Sequence, residues 1–215
     1  MNTSHLLPPL FPPLLVKKIL FFCGLLAGAT AAAHAQTGVR LGLKVGVART
    51  DLTGNYTQDL KGKFGVLAGL VANVGVADGF SVQAELLYAQ KGAAAKNDSS
   101  GIRLNYVDLP VLLHYAAHSF FVEAGPQVGL LVAAKQTQRG RATLDEKPSF
   151  RVVELGYALG LGYQPSESFS VGLRYTGDFR AIDQTGTYSY RYIAAPTNPR
   201  NRAVQLYATY LFGKK

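Results

Sequence analysis

Apolar and polar side chains alternate at every second residue through most of the chain, and the pattern is longest between Asn105 and Ala134. Val107, Leu109, Val111, Leu113 and Tyr115 share one face of a strand, and Phe120, Val122, Ala124, Pro126, Val128, Leu130 and Val132 share one face of the next. The opposite faces carry Asp108, Pro110, Leu112 and His114, then Phe121, Glu123, Gly125, Gln127, Gly129 and Leu131. Successive side chains of a strand point to opposite sides. One side of this hairpin is therefore wholly apolar, while the other mixes charge, amide and glycine. The expected turn is Ala116-Ala117-His118.

The same period recurs on both sides of the hairpin. Val39 to Arg49 places Val39, Leu41, Leu43, Val45 and Val47 on an apolar face. Lys63 to Ala77 does so with Phe64, Val66, Ala68, Leu70, Ala72, Val74 and Val76, and Asp78-Gly79 then signals a tight turn into a strand from Phe80 to Lys91. Beyond the hairpin, strands are expected at Phe150 to Gln164, Phe169 to Ala181 and Arg202 to Phe212. The stretches Arg49–Gly62, Gly92–Gly101, Lys135–Ser149 and Ile182–Asn201 read as long polar loops, and Pro165–Ser168 as a short turn. Eight strands with alternating long and short connections predict an all-β protein: an eight-stranded antiparallel up-and-down transmembrane β-barrel. Short turns and both termini fall on the periplasmic side.

A soluble lipocalin-like barrel would also alternate, with its apolar face inward. Here the second face carries scattered single charges beside many glycines. That makes a poor water-facing sheet. It suits the inside of an eight-stranded barrel, which is only wide enough for side chains to fill. Phe80, Tyr115, Phe120, Tyr163, Phe169, Tyr210 and Phe212 all fall beside the short turns or the C-terminus, as a periplasmic aromatic girdle would.

Composition agrees: 16% of the 215 residues are charged and 48% hydrophobic, with 23 glycines and no tryptophan. Lys17 and Lys18 followed by apolar Ile19–Ala29 and by Ala33-His34-Ala35 predict a cleaved Sec-type signal over residues 1–35, cut after Ala35, and a barrel domain over 36–215. An inner-membrane anchor is the alternative, and the apolar run is short for it. Four prolines upstream of the basic pair suggest a translation start near Val16. Cys23, the only cysteine, lies within the signal after Phe22, which argues against lipidation and leaves the mature chain without thiol chemistry. Loss of residues 1–35 removes two lysines and no acids, so the charge falls from +9 to +7. For an exported barrel the expected anionic partner is phosphorylated lipid, not nucleic acid.

The runs YVDLPVLLHY and FFVEAGPQVGLL, with LGYALGLGYQPSESFSVGLRYTGDF and the terminal LYATYLFGKK, resemble the PorT-like outer-membrane β-barrel family of Bacteroidetes over essentially all of Gln36–Lys215. Tyr106, Asp108 and Pro110 match the motif of one strand, and Glu123, Gly125 and Pro126 that of the next. The resemblance implies a barrel fold and no particular activity. That family includes a member tied to protein secretion and gliding and many without an assigned role.

By phase, Arg40, Lys44, Glu85, Lys91, Asp108, Glu123, Glu154, Arg174, Asp178 and Arg180 point inward, five basic and five acidic. Such a set is either a mutually neutralised core, since buried charges persist when paired, or the lining of a narrow pore or proton path. His114 and His118 are the only histidines after residue 35, and without a second inward histidine a metal centre is not expected. Ser119 lies close to His114 in sequence but in a turn, so no nucleophile–histidine–acid set is indicated, and no cofactor is expected. Two outer stretches offer an aromatic-basic surface: Arg139 and Arg141 in Lys135–Ser149, Tyr188, Tyr190, Arg191 and Tyr192 in Ile182–Arg202, each stretch net +2. The bland alternative is a solvated loop. The expected role is a non-enzymatic structural or interaction barrel, monomeric, meeting lipopolysaccharide and an envelope or secretion-system protein. A narrow porin-like conduit and a lipid-modifying enzyme are the alternatives.

Overall fold

The computed structural model describes residues 38–55, 60–96, 100–138, 144–145, 151–182 and 197–213. The expected signal segment and the loop residues Arg139, Arg141, Tyr188, Tyr190, Arg191 and Tyr192 lie outside the described residues. Nine strands occur among them: β1 Val39–Asn55, β2 Leu60–Ala77, β3 Phe80–Ala95, β4 Ser100–Ala117, β5 Phe120–Gln138, β6 Leu144–Asp145, β7 Val153–Tyr163, β8 Phe169–Asp178 and β9 Thr197–Leu211. They pair in the order β4-β3-β2-β1-β9-β8-β7-β5, and β4 pairs with β5, which closes eight strands into a barrel without free edges. The two-residue β6 pairs onto the outer end of β5, Lys135 with Asp145 and Gln136 with Leu144.

The alternation fixes which side faces lipid. Leu41, Leu43, Val45 and Val47 of β1, Phe64, Val66 and Leu70 of β2, and Val204, Leu206 and Tyr210 of β9 all lie exposed on the outer wall. On β1, β3, β4 and β9 this apolar run covers nine residues: Val39–Val47, Phe80–Tyr88, Val107–Tyr115 and Val204–Phe212. That is the length a tilted strand needs to cross the hydrocarbon layer, about 9–11 residues. Around its inner edge the aromatic side chains meet as the pattern requires. Phe80 lies 4.5 Å from Tyr115, Phe120 5.4 Å from Tyr163, and Tyr210 5.7 Å from Phe212 (ring centroids), while Phe169 opposes Tyr210.

The short turns are tighter than the sequence reading. Ala117 pairs with Phe120, so the β4–β5 turn is His118-Ser119, with His118 in the left-handed region at φ 56°. Gly79 takes φ 75° in the Asp78-Gly79 turn, a conformation glycine adopts without steric cost.

At the outer end the strands run well past the expected loop boundaries. β1 continues to Asn55, β2 starts at Leu60, β3 and β4 extend through Ala95 and from Ser100, and β9 starts at Thr197. Conversely, β8 stops at Asp178 instead of Ala181. Above its end the chain still bridges its neighbours: Ile182 N–H donates to the Pro199 carbonyl at 2.8 Å, and Arg151 N–H donates to the Ile182 carbonyl at 2.7 Å. Ile182, expected to open a loop, is fully buried with Leu52, Ala93, Ile102, Leu104, Tyr106, Leu131 and Ala134, an apolar cap inside the outer mouth.

Candidate functional site

Beneath that cap the barrel interior holds most of the inward-phased charges, in two clusters. The lower one draws on five strands. Arg174 of β8 is its centre and is 1% exposed. Its Nη1 and Nη2 donate to Glu85 Oε2 and Oε1 at 2.7 and 2.8 Å, and its Nε donates to Glu123 Oε1 at 2.6 Å. Lys44 Nζ reaches Glu85 Oε1 at 2.5 Å, Gln83 Nε2 donates to the same oxygen at 2.7 Å, and the Tyr207 hydroxyl donates to Glu123 Oε1 at 2.8 Å. Lys44 also sits 3.8 Å above the Tyr207 ring, a cation–π contact. Two cations face two carboxylates, and the guanidinium fork engages Glu85 bidentately, the geometry of strong charge-assisted bonds.

Glycine makes room for this. A Cβ at Gly160 would lie 2.6 Å from Glu123 Oε1 and 2.8 Å from its Cγ. Gly160 opposes both Glu123 and Arg174 in register, so the small residue lets the two long side chains lie over it.

The upper cluster centres on Lys91, whose Nζ lies 3.1 Å from Asp108 Oδ1 and 3.6 Å from Glu154 Oε2. The Tyr106 hydroxyl donates to Glu154 Oε1, and Asn201 Nδ2 donates to it at 2.9 Å. Asp108 and Glu154 both oppose Gly129, one from each neighbouring strand. Asp178 is half-buried over Gly156.

One inward assignment needs correction. Arg180 is exposed, because β8 ends at Asp178 and the alternation ends with it. Arg40 keeps the inward phase and is half-buried, but it lies at the periplasmic rim outside both clusters, where Nη2 donates to the Gly213 carbonyl at 3.2 Å and to Ser168 Oγ at 3.4 Å. The partners Gln83, Tyr106, Asn201 and Tyr207 were not singled out as site residues from the sequence. Gln83 and Tyr207 carry the signal of an inward phase and Tyr106 that of the strand motif, while Asn201 falls in an expected loop and carries none.

His114 stacks on Phe121 with ring centroids 4.5 Å apart. It opposes Glu123 in register, yet Glu123 turns to Arg174 and Tyr207. No hydroxyl of Ser or Thr bonds His114 among the described residues. Nor do three His, Cys, Asp or Glu side chains gather there in a geometry suited to a metal ion.

A family model described as the outer membrane protein beta-barrel domain matches residues 34–182, more than half of the chain. The chain belongs to that family. Among solved structures, Neisserial surface protein A is similar to this barrel with TM-score 0.52 at 10% identity, over 81% of this chain and 99% of that one. The Ail protein of Yersinia pestis, in complex with the heparin analogue sucrose octasulfate, aligns with TM-score 0.47 at 14% identity, over 81% and 99%. OprG of Pseudomonas aeruginosa aligns with TM-score 0.32 at 15% identity, over 82% and 95%. No curated protein sequence matches the chain. Family membership and the lipid-facing apolar band together place this barrel in a bacterial outer membrane.

Proposed function

We propose that this outer membrane barrel is a sealed, non-enzymatic structural or interaction protein whose work is done on its outer surface. The observation that carries the reading is the burial of the interior charges. Lys44 and Arg174 are each 1% exposed and held by Glu85 and Glu123, and Leu104, Tyr106 and Ile182 above them are wholly buried. A conducting lumen would keep such groups hydrated; here Lys44, Arg174 and both oxygens of Glu85 are satisfied by protein groups, and Glu123 Oε2 is left without a protein partner. The non-enzymatic part draws on His114, which packs on an aromatic ring, while Ser81, facing it across the β3–β4 pair, accepts a hydrogen bond from Asn73.

The finer parts of this reading are proposals of the same kind. The sequence resemblance supports a PorT-like barrel of Bacteroidetes type, an accessory to secretion or envelope assembly that meets an envelope protein as a monomer. Lys17, Lys18 and Ala33-His34-Ala35 support export by a signal cleaved after Ala35.

Planar bilayers test the sealed lumen. The folded protein, verified by heat-modifiable gel mobility, gives no conductance steps, while Arg174→Ala with Glu85→Ala, which empties the lower cluster, gives small ones. Steps from the unmodified protein that change on Glu123→Gln would establish the conduit instead. A change in lipid A mass on expression, abolished by His114→Ala, would establish an enzyme.

A further inference from the structure

The tall wall formed by β2 to β5 carries a group of cations on its outer, lipid-side face. Lys63 of β2 extends across β3, and its Nζ lies 3.3 Å from the position a Cβ would take at Gly101 of β4. Arg103 is two residues along β4 on the same face, exposed, and directly opposes exposed Lys135 of β5. Like charges placed directly opposite each other across a strand pair are destabilising. Exposed Lys61 stands two residues from Lys63 at the same end of β2, so basic side chains predominate here among the described residues. Neither Lys63 nor Arg103 has an ion pair among the described residues. Exposed Arg202, on β9, is by contrast paired to Asp51 at 2.9 Å.

What lies beneath the cations decides the ligand. Phe64, next to Lys63, is 81% exposed, and Leu86 and Val132 continue the apolar outer wall below. The cations therefore stand at the upper edge of the hydrocarbon band. An amphiphile lying along this wall would bring its headgroup to their height.

We propose that Lys63, Arg103 and Lys135 form a binding site for the phosphate of an anionic lipid in the outer leaflet, whose acyl chains lie against Phe64, Leu86 and Val132. The planar fork of Arg103 suits bidentate phosphate contact, and the two lysines supply further charge-assisted donors. An anion there relieves the opposition of Arg103 and Lys135. The site is independent of whether the lumen conducts.

The test uses the full folded chain in detergent micelles, offered equal amounts of bis-phosphorylated and dephosphorylated lipid A, with retention read by native mass spectrometry. The unmodified protein retains the phosphorylated form preferentially. The triple variant Lys63→Gln, Arg103→Gln, Lys135→Gln loses about tenfold of that preference, the scale of losing charge-assisted bonds, while its heat-modifiable mobility shows that it folds. Arg103→Gln alone gives a partial loss, and Arg202→Gln on the other wall leaves the preference intact. Equal retention of the two lipids by the unmodified protein, or an unchanged preference in the triple variant, overturns the proposal. Displacement of the lipid by excess inorganic phosphate also overturns it, because the site would then serve soluble anions.

Discussion

On one strand, β4, the same alternation serves two opposite purposes. Between Val107 and Tyr115 the apolar side chains point out and Asp108 and His114 point in. A few residues higher, Arg103 and Asn105 point out and Ile102 and Leu104 point in. β1 makes the same switch: Val45 and Val47 face out below, while above them Arg49 faces out and Leu52 is buried. The in/out alternation of β4 and β1 continues across the switch, although β5 bulges opposite Asn105 and Tyr106; what changes is the surroundings. Where lipid lies outside, most of the apolar residues are used up on the outer wall, and the narrow interior is shared between paired charges and a smaller apolar cluster of Leu67, Leu87 and Phe121. Where water lies outside, the ordinary globular arrangement returns and the interior closes with Leu52, Leu104, Leu131 and Ile182. The lower interior is therefore held by geometry-dependent ion pairs, and the upper one by non-directional apolar packing.

The sharpest way to break that contrast is to remove the central cation. Arg174→Met leaves Glu123 with Tyr207 and Glu85 with Lys44 and Gln83, with part of their charge uncompensated inside the barrel. Breaking a buried pair by removing one partner costs about 3–5 kcal/mol. Equilibrium unfolding in lipid vesicles should show a loss of that size. Adding Glu123→Gln to Arg174→Met should recover part of it, because Lys44 and Glu85 then remain as a neutral pair and no charge is left over. A neutral Arg174→Met would mean the network does not hold the lower barrel.

A charge on the outer wall tests the other half of the contrast. Leu43 lies midway along the apolar run of β1 and faces out. Leu43→Arg should destabilise by about 2–4 kcal/mol, the cost of a cation at the bilayer midplane, falling to roughly 0–1 kcal/mol near the interface. Thr53→Arg, on the outer extension of β1, should cost nothing measurable in the same assay. Equal effects at the two positions would show that the band has been drawn in the wrong place. In the upper interior, Leu104→Ala should cost about 2–4 kcal/mol, transfer plus cavity, as in a soluble core. It should do so without altering conductance.

The switch also explains how much of the molecule could be seen in the sequence. The eight barrel strands and the short turns were legible because, within the membrane band, period and hydrophobicity agree on every strand. The outer extensions were read as loops because Arg49, Arg103 and Lys135 occupy the outward phase that lipid-facing positions fill lower down. Looking for continued alternation with the apolar phase reversed, as in Ile102 and Leu104 against Arg103 and Asn105, would have found them. Seven of the charged residues picked by phase are buried in the two clusters, but their pairing was not legible. Glu85 meets Arg174 across the lumen, 89 residues away, and no strand-local rule brings β3 to β8. Arg180 was misplaced for the opposite reason: extrapolating the period past Asp178 assumed a strand that had already ended.

The smallest expected effect lies on the outer extension, where charge is exposed to water. Arg202 Nη2 meets Asp51 Oδ2 at 2.9 Å, across the β1–β9 pair. The distance is only slightly longer than those within the lower cluster, yet neither side chain is buried. Exposed pairs of this kind contribute about 0–1 kcal/mol and are screened by salt. Arg202→Gln, Asp51→Asn and the double variant, compared in a double-mutant cycle at low and high salt, should give a coupling below about 1 kcal/mol that shrinks as salt is added. The coupling between Arg174 and Glu123, measured the same way, should be larger and insensitive to salt, since ions in solution do not reach it. Should the two couplings match in size and salt response, the lower interior is hydrated, and the distinction between a sealed, ion-paired band and a water-washed extension fails.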